Sequence, residues 1–385
     1  MLYHFLILLS IVCSQNLFSA EIRPVPQLGT VKVLFALTNL EGRQFDEPFE
    51  YMTEENKIIM QKMLGQEKFE ALVKSLTAGV DLSDPVKKIE RYIPVLQKFI
   101  SEASYGKLNI EYDILPVSVS IPYKTFDNLC WTAAEMMFPN IKNREFSEEE
   151  YDKIFFITPP LGCSNISGAV DKIGGKFGFI RSLYLGDRIP LGTITHEFGH
   201  ALGAIHAQTM DCGTSIISDS CFEDPYGSLF DVMGNSKTGH LGDLSSVNKE
   251  KMGWLSADSE QTIQEISSNG IYHLTPLETS DPGVKGLKLK FDHPALDGMH
   301  WLYIDYRTVS RGPKIQGIVL NLVKVNELYP QLYSINQLDL TPQTKDERSF
   351  LDATLALGQT FSEGNVSIKL IDIQDGSADL QVSIK

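Results

Sequence analysis

The chain has 385 residues, 43% hydrophobic and 22% charged, an ordinary globular balance with length enough for two or three hydrophobic cores. Its formal net charge of −15 repels nucleic-acid phosphates and anionic membrane surfaces, so neither is expected as a partner. The sequence shows no repeat and no low-complexity block.

Residues 1–20 read as a secretory signal. The apolar run from Phe5 to Val12 is too short to span a bilayer, and no transmembrane segment is expected elsewhere. Cleavage is expected after Ser14 or Ala20. Cys13 offers a lipoprotein anchor, which the bulky Val12 before it disfavours. Thr30–Leu37 is β-branched and apolar, as in a buried strand. Thr53–Ala78 carries helical spacing (Ile58, Ile59, Met63, Leu64, Phe69, Leu72, Val73, Leu76) and reads as a helical insertion, with a lid as the alternative. Ser83-Asp84-Pro85 starts a helix whose apolar face runs from Val86 to Ala103, with a kink expected at Pro94. Lys107–Leu115 and Tyr151–Ile157 follow as strands. The glycine-rich run Gly168–Gly178 lacks the ending of a phosphate cradle. It is expected as a loop or an edge strand, able to pair with an extended peptide.

Leu191–Leu202 is expected as a helix anchored by Ile194, Phe198, Ala201 and Leu202. It carries the densest chemistry in the chain, His196-Glu-Phe-Gly-His200-Ala-Leu-Gly203-Ala-Ile-His206. Residues four apart on a helix lie about 6 Å apart along its axis on one face, so His196 and His200 can reach one metal ion. Glu197 is turned about 100° from that face, where a general base would stand. Gly203 is suited to a left-handed end of the helix, after which the chain can return and bring in His206. Three imidazoles with one position left open make the donor set of a catalytic Zn²⁺ site.

This extended motif resembles that of the metzincin metalloproteases. Downstream, Tyr226-Gly-Ser-Leu-Phe-Asp231-Val-Met233-Gly234 resembles their Met-turn, which implies that Met233 packs beneath the zinc-binding histidines. Thr238-Gly-His240-Leu, Asn248-Lys-Glu-Lys-Met-Gly-Trp254-Leu and, further on, Trp301-Leu-Tyr-Ile-Asp-Tyr306-Arg307 are similar to the gametolysin-type peptidases and their immune-inhibitor-A-like relatives. The resemblance runs from about Val31 to the C-terminus. It implies a twisted mixed sheet with an active-site helix and a protein or peptide substrate. One departure is Asn235, which stands where several metzincins place a tyrosine. Tyr226 and His240 remain as alternative oxyanion stabilisers.

With the signal removed, Cys130, Cys163, Cys212 and Cys221 remain, an even count that points to two disulfides in three possible pairings. Cys212–Cys221 would staple the loop between the zinc motif and the Met-turn. No cysteine stands between residue 21 and Cys130 to latch the metal. A boundary is expected after Leu255, giving a catalytic domain over residues 21–257 and a β-sandwich over 258–385. Short alternating segments support the latter: Gly270–Thr275, Gly286–Phe291, Trp301–Tyr306, Gly317–Val325, Val366–Ile373 and Ala378–Ile384. Asp372, Asp375 and Asp379 suit a hairpin turn better than a calcium site. The fold class expected is α+β. The function expected is that of an exported zinc endopeptidase with His196, His200 and His206 as ligands and Glu197 as base. The alternatives are an exported binding or adhesion protein on a silent scaffold of the same kind and a metal-dependent hydrolase acting on something other than peptides.

Overall fold

The apolar run at the start of the chain forms β1 (Gly29–Leu40), in which Val33 through Leu37 are buried on both faces. Burial on both faces belongs to an inner strand of a mainly parallel sheet. The computed structural model describes residues 25–40, 85–90, 92–121, 147–158, 168–181, 191–234, 242–298, 300–309, 315–325, 333–344, 350 and 352–385. β1 is flanked by β2 (Leu108–Ile121) and β3 (Lys153–Thr158), both parallel to it. Beyond β3, the glycine-rich run supplies β4 (Gly168–Val170) and the start of β5 (Phe177–Arg181). The sheet order is β2-β1-β3-β5-β4, with β4 antiparallel at the edge.

Two helices cover this sheet where one kinked helix is expected, α1 (Pro85–Glu90) and α2 (Ile93–Ala103). The break falls before Pro94 and not at it. Proline lacks an N–H and is tolerated in a first turn, so the second helix begins around it. Its inner face buries Ile93, Leu96, Ile100 and Ala103. The expected helix over residues 53–78 lies outside the described residues, as do Cys130, Cys163, Asn235 and His240.

Next come α3 (Leu191–Leu202), β6 (Ala207–Asp211), β7 (Phe222–Asp224) and α4 (Ser246–Lys251). The last third is strands: β8 (Gln261–Glu265), β9 (Gly270–Leu274), β10 (Gly283–Phe291), β11 (His300–Val309), β12 (Ile315–Val325), β13 (Tyr333–Leu338), β14 (Thr360–Glu363), β15 (Val366–Gln374) and β16 (Ser377–Ile384). Together with β6 and β7 they form a seven-stranded sheet, β7-β6-β13-β12-β11-β10-β8, and a four-stranded sheet, β14-β15-β16-β9. Alternation along β11 divides its side chains between two cores. Leu302 and Ile304 join Ile368, Leu370 and Leu380 of the smaller sheet. Trp301 and Tyr303 join Val247 and Leu255 on the opposite face. The β15–β16 hairpin turns through Asp375 and Gly376, both at positive φ (49° and 79°), which is the two-residue geometry that Asp-Gly favours.

The architecture is therefore mixed α/β, dominated by sheet with few helices. Among the described residues no helix is long and apolar enough to cross a membrane. Sheet continuity also crosses residue 257: β6 pairs in parallel with β13, Ala207 opposite Ile335 and Met210 opposite Leu338.

Candidate metal centre

α3 is held from behind. Ile194, Phe198, Ala201 and Leu202 are fully buried, and the Phe198 ring sits 5.7 Å from that of Phe155 on β3. This back face leaves His196 and His200 turned away from the five-stranded sheet. Gly203 then ends the helix at φ +108°, its N–H donating to the His200 carbonyl at 3.0 Å, and the chain reverses as its glycine permits. A cation secures the same end: the buried Lys153 ammonium donates to the carbonyls of Ala201 (2.7 Å) and Gly175 (2.9 Å). Positive charge belongs at a helix C-terminus, where the last carbonyls have no partner within the helix.

The reversal brings His206 to the other two histidines. One ligand atom from each of His196, His200 and His206 lies within 4.8 Å of the others, a grouping that could hold a metal ion. The helical pair is already oriented for that. His196 Nδ1 is 2.9 Å from the Val232 carbonyl and His200 Nδ1 is 2.9 Å from the Ala204 carbonyl. Donation from each Nδ1–H fixes the tautomer and leaves Nε2 as the lone-pair donor, the arrangement usual for metal-ligating histidine. His206 is placed through its neighbour. Asn248 on α4 brackets the Ile205 main chain, accepting its N–H at 3.1 Å and donating to its carbonyl at 3.2 Å.

Burial keeps the imidazoles neutral, lowering His196 to about 4 and His200 to about 3, with His206 lowered as well. Neutral imidazole is the form a metal needs. Burial also raises Glu197 to about 8, so without a cation its carboxyl is held protonated at neutral pH. A bound divalent ion would reverse that preference.

The turn beneath the histidines is tied at both ends. Asp231 accepts the N–H groups of Met233 and Ser245, each at 2.8 Å, and the Met233 carbonyl accepts the Ala207 N–H at 3.0 Å. Met233 is fully buried with its sulfur against α3, where a Cβ on Gly199 would lie 2.5 Å from it. Tyr226 stands at the rim, half exposed, its ring 4.4 Å from that of His206. Cys212 and Cys221 are bonded and staple the connection from β6 to β7.

No family model and no curated relative matches the chain. Solved structures overlap it weakly, two of them as follows. One is described as a chaperone–substrate complex, with 12% identity over 60% of this chain and 35% of that one at a TM-score of 0.27. The other is metalloproteinase-II from Bacteroides fragilis, with 15% identity over 60% of this chain and 57% of that one at a TM-score of 0.30. The chain thus spans about a third of the first and just over half of the second. Overlap this slight carries no argument about activity, which rests on the site.

The sequence motif contains all three histidines and Glu197, and the structure brings the three histidines together. Three further residues lie outside that reading. Lys153 is signalled by a lysine inside an otherwise apolar strand, and Asn248 by a polar residue on the buried face of a short helix. Gly168 gives no such signal. It stands on the edge strand so close to Glu197 that a Cβ would meet its Cγ at 2.5 Å and its Cδ at 2.9 Å.

Proposed function

We propose that this chain is an exported zinc-dependent endopeptidase of the metzincin kind, most like the gametolysin-type peptidases, acting on protein or peptide substrates outside the cell. The observation that supports it above all is the convergence of three neutral imidazoles beside one buried carboxyl. His196, His200 and His206 would hold the zinc, which when bound supplies Lewis acidity for the scissile carbonyl and lowers the pKa of water toward ~7. The chain's own residues do the rest. Glu197 takes the proton of the attacking water and passes it to the leaving amine. Met233 and the turn around it hold the helix and the His196 ring in place. β4, the edge strand among the described residues, would receive an extended substrate by strand addition. Tyr226, at the rim, is the described candidate for stabilising the oxyanion.

On this proposal residues 1–20 are a secretory signal, and residues 258–385 form a β-sandwich that shares its larger sheet with residues 207–224. The disulfide fits an oxidising compartment. The deciding experiment is cleavage of casein or gelatin by purified protein, abolished by a chelator and restored by zinc. Cleavage that persists in chelator would remove the metal from the mechanism. No cleavage by zinc-loaded protein would favour a binding protein or a non-peptide hydrolase.

The close approach of Gly168 adds a sharper expectation. Gly168→Ala should leave zinc content unchanged and cut cleavage by ~10- to 100-fold, because a methyl at that point pushes Glu197 out of its conformation. Wild-type turnover in this variant would show that the carboxyl tolerates displacement.

A further inference from the structure

Between α4 and β11 lies a buried charged cluster that the proposed chemistry does not use. Arg307, on β11, is 1% exposed. Its Nε lies 2.8 Å from a Glu278 oxygen, close as an ion pair but not aligned as a hydrogen bond, and its Nη1 is 3.8 Å from Asp305. The remaining donors do not go to carboxylates. Nη2 donates to the Phe230 carbonyl and, at 3.2 Å, to the Asp243 carbonyl. These oxygens bracket the segment in which Asp231 binds Met233 and Ser245, Val232 binds His196, and Met233 lies against α3. A purely electrostatic partner for Glu278 and Asp305 would need no main-chain carbonyl. A planar fork reaching across two segments fixes their separation.

The same sheet reaches the site at a second point. Gln337 on β13 is fully buried and accepts the Ser228 hydroxyl at 2.8 Å, while Ser228 N–H donates to the Ala207 carbonyl. Ala207 follows His206 directly and opens β6, which pairs with β13. One contact therefore bears on His196 through the turn, and the other on His206 through its strand.

We propose that the C-terminal seven-stranded sheet is a positioning element of the metal centre, acting through Arg307 on the turn that orients His196 and through Gln337 on the strand that presents His206. This rests on the three-histidine site being a metal centre. It makes the last third of the chain part of the site's frame, so that this third cannot be separated from the rest at residue 257 without loosening the ligands.

The test uses the full-length protein, stripped with chelator and titrated with Co²⁺, whose visible spectrum reports ligand number and geometry. Arg307→Lys is expected to weaken Co²⁺ binding by about tenfold or more, the range seen for residues that orient metal ligands, and to change the band shape, and Gln337→Leu, acting one contact further from its ligand, to weaken it by about threefold, below that range. Leu370→Ala, which opens a cavity in the smaller sheet, separates positioning from general weakening. It should lower Tm yet leave the spectrum unchanged and the affinity within about twofold. The proposal is overturned if folded Arg307→Lys binds Co²⁺ as the wild type does, or if Leu370→Ala shifts binding as much. Should Arg307→Lys fail to fold, Gln337→Leu decides: wild-type affinity and spectrum overturn the proposal, while a weaker, altered complex supports it. A wild-type protein that binds no Co²⁺ would instead sink the metal centre itself, and this proposal with it.

Discussion

Glu197→Gln is expected to retain a full complement of zinc and to lose at least ~10²-fold of peptide cleavage, the range over which a positioned proton carrier acts. The carboxyl is 7% exposed beside the histidines, and Gly168 leaves it room on the edge-strand side. Glutamine keeps that shape and cannot accept a proton, so metal binding and catalysis should separate. The substitution has a second readout in metal-free protein. Burial raises Glu197 to about 8 from an ordinary value of 4.5, so between those pH values the folded state holds a proton that the unfolded state has released. The stabilisation is complete below the lower value and is lost as pH rises through the upper one. Wild-type stability, measured without metal, should therefore fall relative to that of Glu197→Gln from pH 6.5 to 8.5, by up to about 1.4 kcal/mol per pH unit. His196 and His200, lowered to about 4 and 3, still titrate in the unfolded chain near 6.5, but they do so alike in both proteins, so their contribution cancels in the comparison. Parallel curves would show that Glu197 is ionised in the empty site.

The readable part of this site is the part fixed by a single helix. The spacing of His196 and His200 and the glycine at 203 are local, and a 3.6-residue period with a left-handed terminus sets both. The bonded Cys212 and Cys221 lie nine residues apart and are local as well. What the sequence hides is non-local. Ala207–Asp211 is short, and nothing in it announces that its partner strand begins at Tyr333. The boundary expected after Leu255 follows a change of pattern along the chain, whereas the sheet is assembled by hydrogen bonds that ignore that order. Gly168 is hidden for a related reason. Its need to lack a side chain comes from Glu197, twenty-nine residues on. Arg307 belongs to a recognisable strand, but its two carbonyl acceptors come from loops that meet it only after folding. Pro94 shows that local reasoning can also mislead. A proline within a helical pattern admits either a kink or a fresh start, and the tie from Tyr92 N–H to the Ile89 carbonyl accompanies the second.

His206→Ala should separate the helical ligand pair from the complete site. His196 and His200 keep their carbonyl partners in this variant, since neither Val232 nor Ala204 depends on the third ring. β6 keeps its pairing with β13, because the removed side chain precedes the strand and takes no part in the ladder. The fold should therefore persist, with far-UV circular dichroism unchanged, while zinc affinity falls by more than the ~10- to 100-fold typical of losing an outer partner of a ligand. Two nitrogens on one helix cannot enclose a tetrahedral ion, and the vacated direction opens toward Tyr226 at the rim, whose phenol burial keeps protonated. Zinc measured after exhaustive dialysis gives the answer directly. Stoichiometric metal in His206→Ala would remove this histidine from the ligand set, and with it the reason for the chain to reverse at Gly203.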